Sequence, residues 1–251
     1  MTKIGNDPYL LLMSDTTPIP PSLQGRTVVV AGGGRHMGLA VARTAAAWGA
    51  RVVIVGRDPA RTESAAELAR ADGAGEVIAE VADAGDEQAI DGVLRRHAGF
   101  DHLAVTISTG ASVSSIGATP VAAARAPFDN RFWPTYHLLH AAPRFMAREG
   151  SITLTSGSSG RRPQVGFGVY GTLHAALNGL ALAAAIELAP LRVNAVSPGG
   201  LGIGRTRQLI PHPGEGRDFG AIAVALMVNP AITGTIVDVD GGEFLGQISD
   251  R

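Results

Sequence analysis

The chain has 251 residues, 45% of them hydrophobic and 17% charged, with a formal net charge of −1 and no cysteine. Of its 21 Lys and Arg residues only Lys3 is a lysine. That composition excludes a thiol nucleophile, a thiolate metal site and a disulfide, and it supplies no lysine for a Schiff base or a phosphate-binding loop.

Residues 1–25 read as an irregular arm, broken by Pro8, Pro18, Pro20 and Pro21. From residue 26 onward strand and helix patterns alternate in one domain, 26–251. Strands are predicted at 27–31, 51–55, 76–81, 103–107, 151–155, 191–196 and 235–239. Helices are predicted at 37–48, 59–72, 86–97, 169–189 and 218–228, with a long helical stretch over 128–148 that Pro134 and Pro143 would kink. Asp58 suits an N-cap and Pro59 a first helical turn. Seven strands alternating with helices predict an α/β fold, a Rossmann-type doubly wound parallel sheet. Residues 112–126 and 199–216 read as irregular loops that follow strand ends, where such sheets bind ligands.

Nothing in the charge balance predicts a nucleic-acid or membrane partner. The apolar runs read as too short to span a bilayer, and the Tyr9–Met13 cluster is too short for a signal-peptide core. A cytoplasmic protein is the expectation. His137 and His140 lie three apart, but no third ligand is evident, so no metal is predicted.

The run Val28-Val29-Val30-Ala31-Gly32-Gly33-Gly34-Arg35-His36-Met37-Gly38 passes from strand through a glycine-rich turn into a helix. Glycines let the backbone turn tightly and approach a pyrophosphate, and a helix N-terminus offers free N–H groups to it. The second strand ends in Gly56-Arg57. No carboxylate stands there to hold a ribose 2′-hydroxyl, while Arg57 can fork onto a 2′-phosphate. This favours NADP(H) over NAD(H).

Residues 25–245 resemble the short-chain dehydrogenase/reductase family. The family's turn, Thr-Gly-x-x-x-Gly-x-Gly, falls on Ala31, Gly32, His36 and Gly38, with His36 in place of the middle glycine. Arg192-Val193-Asn194-Ala195-Val196-Ser197-Pro198-Gly199 and Thr233–Gly242 match later landmarks of the family. The resemblance implies a cofactor site built from Gly32, Gly34, Arg35, His36, Met37, Gly38, Arg57, Thr106, Tyr170, His174, Pro198 and Gly199. Glu80-Val81 resembles the pair that holds adenine.

It also implies a catalytic Tyr-x-x-x-Lys with an upstream Ser and an Asn. Here Tyr170 matches the tyrosine, His174 stands at the lysine, Gly157 at the serine between Ser156 and Ser158, and Arg131 at the asparagine. The expected group is therefore Tyr170, His174 and Arg131 for acid–base work, with Ser156 or Ser158 orienting a carbonyl. The activity implied is hydride transfer between NADP(H) and a small-molecule carbonyl or alcohol, in a homodimer or homotetramer. The alternatives are a silent NADP(H)-binding protein, and a dehydratase or cyclase on the same fold.

Overall fold

The structure, a computed structural model, describes residues 22–73, 75–108, 114–199, 209–210, 212, 214–243 and 245. The arm up to residue 21 lies outside them. So do Arg205, Arg207, Pro211 and Pro213 of the loop over 199–216.

In chain order come β1 (Thr27–Ala31), α1 (His36–Ala47), β2 (Arg51–Gly56), α2 (Pro59–Asp72), β3 (Val77–Val81), α3 (Glu87–Arg96) and β4 (Phe100–Val105). Then follow α4 (Val121–Pro127), a π-helical turn (Phe128–Phe132), α5 (Trp133–Ala141), β5 (Met146–Thr155), a 3-10 turn (Ser158–Gly160) and α6 (Gly168–Glu187). The described elements close with β6 (Arg192–Pro198), α7 (Gly216–Val228) and β7 (Ile236–Val239). The sheet order is β3-β2-β1-β4-β5-β6-β7, and every pair is parallel. The order reverses between β1 and β4, the position at which such sheets open a ligand crevice.

Strand alternation builds a core on each face. Val28, Val30, Val52 and Ile54 pack with α1 and with Phe219 and Ala223 of α7. Val29, Ala31, Val53 and Val55 pack with Ile90, Leu94, Leu138 and Ala181 on the other face. Helix starts follow their capping chemistry: Asp58 accepts from Arg61 N at 3.0 Å and Asp86 from Ala89 N at 3.0 Å.

Three sequence readings change here. The stretch over 128–148 is not one helix. It is a π-turn, a short α5 and then β5, because Pro134 and Pro143 each lack the N–H that would carry the ladder on. Part of the stretch read as loop, Val121–Pro127, is helical, an alanine-rich segment framed by Pro120 and Pro127. A third concerns membrane length: α6 is long and apolar enough to cross a bilayer. Its Leu173, Leu177, Ala181 and Ala184 are instead buried within the protein.

His102 on β4 is buried and shares a 2.9 Å hydrogen bond with Ser151 Oγ. Burial pushes its pKa down to about 4. An unfolded histidine takes up its proton near pH ~6.5. Between there and about 4 the unfolded chain binds a proton that the folded chain refuses. Stability therefore falls with falling pH, by about 1.4 kcal/mol per unit for this group. Melting temperatures should drop between pH 7 and 4.5, and His102→Gln should flatten that drop. An unchanged slope would remove His102 as its cause.

Candidate active site

A cavity of about 410 Å³ opens at the reversal of strand order. The end of β1 and the glycine turn supply one wall: Ala31, Gly32, Gly34, Arg35, His36 and Met37. The end of β2 supplies Gly56, Arg57 and Asp58, with Arg61 beside them on α2. Thr106, Ile107 and Ser108 form the floor beyond β4, and Asp129, Asn130 and Pro134 close the inner end.

Close packing explains the glycines. Gly32 has φ +86°, and a Cβ there would stand 2.8 Å from the Thr106 carbonyl carbon. A Cβ at Gly38, which does not line the cavity, would stand 2.5 Å from Thr106 Oγ1. Gly38 thus lets α1 seat against the turn, so that its N-terminus faces the cavity. His36 takes φ +48°, a left-handed conformation that L side chains adopt at a cost. The family's middle glycine would meet that backbone requirement without it.

Arg35 and Arg57 are both exposed on the rim, and neither has an ion-pair partner among the described residues. Arg61 is already drawn to Asp58, 3.2 Å away. The turn and the two arginines fit a dinucleotide whose pyrophosphate lies at the α1 N-terminus.

The adenine expectation needs correction. Glu80 is held by Arg96 Nη2 at 2.7 Å and His97 Nε2 at 2.7 Å, and Val81 is exposed. Neither lines the cavity; Asp83, Ala84 and Gly85 do. Glu80 lies within β3 and pairs with the cationic end of α3, whereas Asp83 lies past the strand end, where the crevice opens. Pro198 ends β6 and Gly199 follows it, and neither lines the cavity. A Cβ at Gly199 would meet Asp240 Cβ at 2.6 Å, so that glycine serves packing against the turn after β7.

The catalytic candidates gather where the π-turn, the end of β5 and α6 meet. Arg131 projects from the π-turn, in which Trp133 N–H reaches back to the Phe128 carbonyl. Its guanidinium is buried and donates to Thr155 O at 2.7 Å, Ser156 O at 3.0 Å and His174 Nε2 at 3.1 Å. Desolvation lowers its pKa to about 10, so it stays cationic at neutral pH, and the Tyr170 phenol is near enough for its anion to favour that charge. Tyr170 is buried against Leu173, with Phe128, Phe132 and Phe167 packed around this cluster. Its ring centroid lies 6.3 Å from that of His174.

His174 Nδ1 lies 2.8 Å from Ser159 Oγ. Burial, then Arg131, pushes the imidazole pKa down to about 3. Both ring nitrogens are engaged and the ring stays neutral, so the acid–base role and the cofactor contact expected of it do not follow from this geometry. Neither of the expected serines hydrogen-bonds the ring through its side chain; Ser159 does. Ser156 Oγ is enclosed with no hydrogen-bond partner among the described residues, and Ser158 begins the 3-10 turn.

The residue that sequence reasoning missed is Ser159. The signal was present in Gly157: with no side chain at the family's serine position, the ring of a residue at 174 can settle there and reach the next hydroxyl along.

Comparison with known proteins places this site in a family. A sequence model described as enoyl-(acyl carrier protein) reductase matches residues 32–243. The short-chain dehydrogenase/reductase ATR9 of Stachybotrys chlorohalonatus is 32% identical over 90% of this chain and 99% of its own. A solved short-chain type dehydrogenase/reductase from Mycobacterium ulcerans superposes with a TM-score of 0.84 at 28% identity, covering 91% of this chain and 93% of its own. A short chain dehydrogenase from Burkholderia cenocepacia, solved in complex with NADP, gives a TM-score of 0.79 at 28% identity over 88% and 98% of the two chains. With the sheet order, the glycine turn and matches over nearly the whole described chain in agreement, this protein belongs to the short-chain dehydrogenase/reductase family of oxidoreductases.

Proposed function

We propose that the chain is an NADP(H)-dependent oxidoreductase interconverting the carbonyl and alcohol forms of a small molecule. One observation carries this reading: the cavity rimmed by Arg35 and Arg57, neither of them ion-paired among the described residues, reaches Asp129 and Asn130 of the π-turn, the same turn that holds Arg131 near Tyr170. The NADP found in the Burkholderia cenocepacia neighbour supports the cofactor choice.

Arg35 and Arg57 would grip the 2′-phosphate, and the first turn of α1 would receive the pyrophosphate. Asp83 and Ala84 would flank the adenine. The chemistry that a nicotinamide bound there would supply is hydride transfer to the carbonyl carbon, or from the alcohol carbon in reverse.

Tyr170 would give its phenolic proton to the carbonyl oxygen as that oxygen gains charge, and would recover it in the reverse direction. Arg131 supplies a fixed cation that stabilises the phenolate left behind. In a site shielded from water such a charge acts far more strongly than in solvent. Trp133, Tyr136, Leu182 and Ile186 stand exposed on α5 and α6, which supports assembly as a homo-oligomer.

The test is a fluorescence titration with NADPH, followed by NADPH oxidation against a panel of ketones and aldehydes. Saturable binding with no turnover on any of them would replace this reading with that of a silent cofactor binder. In the Arg35→Ala/Arg57→Ala double variant the Kd for NADPH should rise by about 10- to 100-fold, from the loss of charge-assisted hydrogen bonds, with that for NADH unchanged. Equal losses for both cofactors would refute the phosphate role.

A further inference from the structure

Gly157, Ser159, His174 and Arg131 form one interlocked group. A Cβ built on Gly157 would stand 2.5 Å from Nδ1 and 2.9 Å from Nε2 of His174. The imidazole thus fills the space that a side chain at 157 would need. A Cβ on Gly160 would stand 2.7 Å from His174 Cβ, so the backbone of the 3-10 turn also lies directly against this residue.

Hydrogen-bond direction follows from the donors. A guanidinium has only N–H groups, so Nε2 must accept in the 3.1 Å contact with Arg131. The ring proton then sits on Nδ1 and is donated to Ser159 Oγ at 2.8 Å. Among the described residues, the groups facing the ring are Arg131 from the π-turn, Gly157 and Ser159 from the connection after β5, and Tyr170 from α6 itself. None is a carboxylate. A second proton on the ring would set two cations against each other, in keeping with the low pKa that burial and Arg131 impose.

We infer that His174 and Ser159 are positioning residues: a neutral imidazole of fixed tautomer, seated on Gly157 and braced by Ser159, holds the Arg131 guanidinium in the active site. Only the effect on turnover rests on the oxidoreductase reading; the tautomer and the packing stand apart from it.

Three measurements test this. Nitrogen NMR of histidine-labelled protein, with His174 assigned by its loss in His174→Gln, should show the Nδ1–H tautomer, unchanged from pH 8 to 5. An Nε2–H tautomer, or titration in that range, overturns the inference.

Thermal melting supplies the second. Gly157→Ala should lower the Tm by about 5 °C in the wild-type background, through overpacking. It should have little effect in a His174→Ala background, where the ring is gone. Equal shifts in both backgrounds overturn the packing argument.

The third is kinetic. A glutamine at 174 can accept from Arg131 through its amide oxygen and donate to Ser159 through its amide nitrogen. His174→Gln should therefore keep kcat within about tenfold of wild type, with the pH profile unmoved. His174→Ala should lose about 10- to 100-fold in kcat at constant KM for NADPH, by freeing the guanidinium. Equal loss in both variants would make His174 a proton carrier and end the positioning role. If the wild type turns over no carbonyl, the NMR and melting results still decide the inference, so its failure and that of the oxidoreductase reading are distinguishable.

Discussion

Replacing Tyr170 with phenylalanine is expected to lower kcat for carbonyl reduction by about 10²- to 10⁴-fold, the range for loss of a positioned general acid. The change deletes one oxygen and keeps the ring. The ring belongs to a cluster with Leu173 and Leu177, edged by Phe128, Phe132 and Phe167, so the packing that holds α6 survives. NADPH affinity should stay within a few-fold, because Arg35, Arg57 and the α1 N-terminus line the cavity and Tyr170 does not. Parallel fluorescence titration and turnover assays separate the two effects. Full activity in Tyr170→Phe would make Tyr170 a packing residue and move the proton donor elsewhere.

Arg131→Met comes second in expected size. Methionine fills much of the same volume without charge. Turnover should fall by about 10²- to 10³-fold, the usual scale for removing one electrostatic stabiliser from an active site. The effect on folding is a balance. A desolvated cation disappears, which favours the variant, but the carbonyls of Thr155 and Ser156 and the Nε2 of His174 lose their donor. Arg131→Lys discriminates further. Lysine restores a charge but not the planar fork that reaches two carbonyls and an imidazole at once, so it should recover only part of the rate. Wild-type kcat in Arg131→Met, measured on folded protein, would remove the cation from the mechanism.

Much of this was legible in the sequence, for identifiable reasons. The β–α alternation and the glycine turn are written in local patterns, and they place β1, α1, β2 and the crevice between β1 and β4. The motif ending in Pro198-Gly199 set the register that brought Tyr170 and His174 together on α6. What stayed hidden depended on contacts between distant segments.

Glu80 looked like an adenine ligand until Arg96 and His97, sixteen and seventeen residues away, were seen to hold it. The first three residues of β5, Met146–Arg148, read as helix because Met146 and Ala147 favour helix locally. Pairing of Met146 with Phe100 decides otherwise. Ser159 carries no motif of its own. Its role exists only because an imidazole from α6 lies across Gly157 and stops within reach of its hydroxyl.

The contact between Gly157 and His174 also bears on the history of such a site. A serine restored at 157 meets the imidazole before it can be useful. A lysine restored at 174 brings an ammonium beside a guanidinium that already lacks water. Each single change toward the family's serine or lysine is penalised by a residue already in place, His174 against a serine at 157 and Arg131 against a lysine at 174. The arrangement therefore acts as a ratchet. Substitutions around Arg131 leave it intact, whereas the family's serine and lysine can be introduced only by changing several positions together.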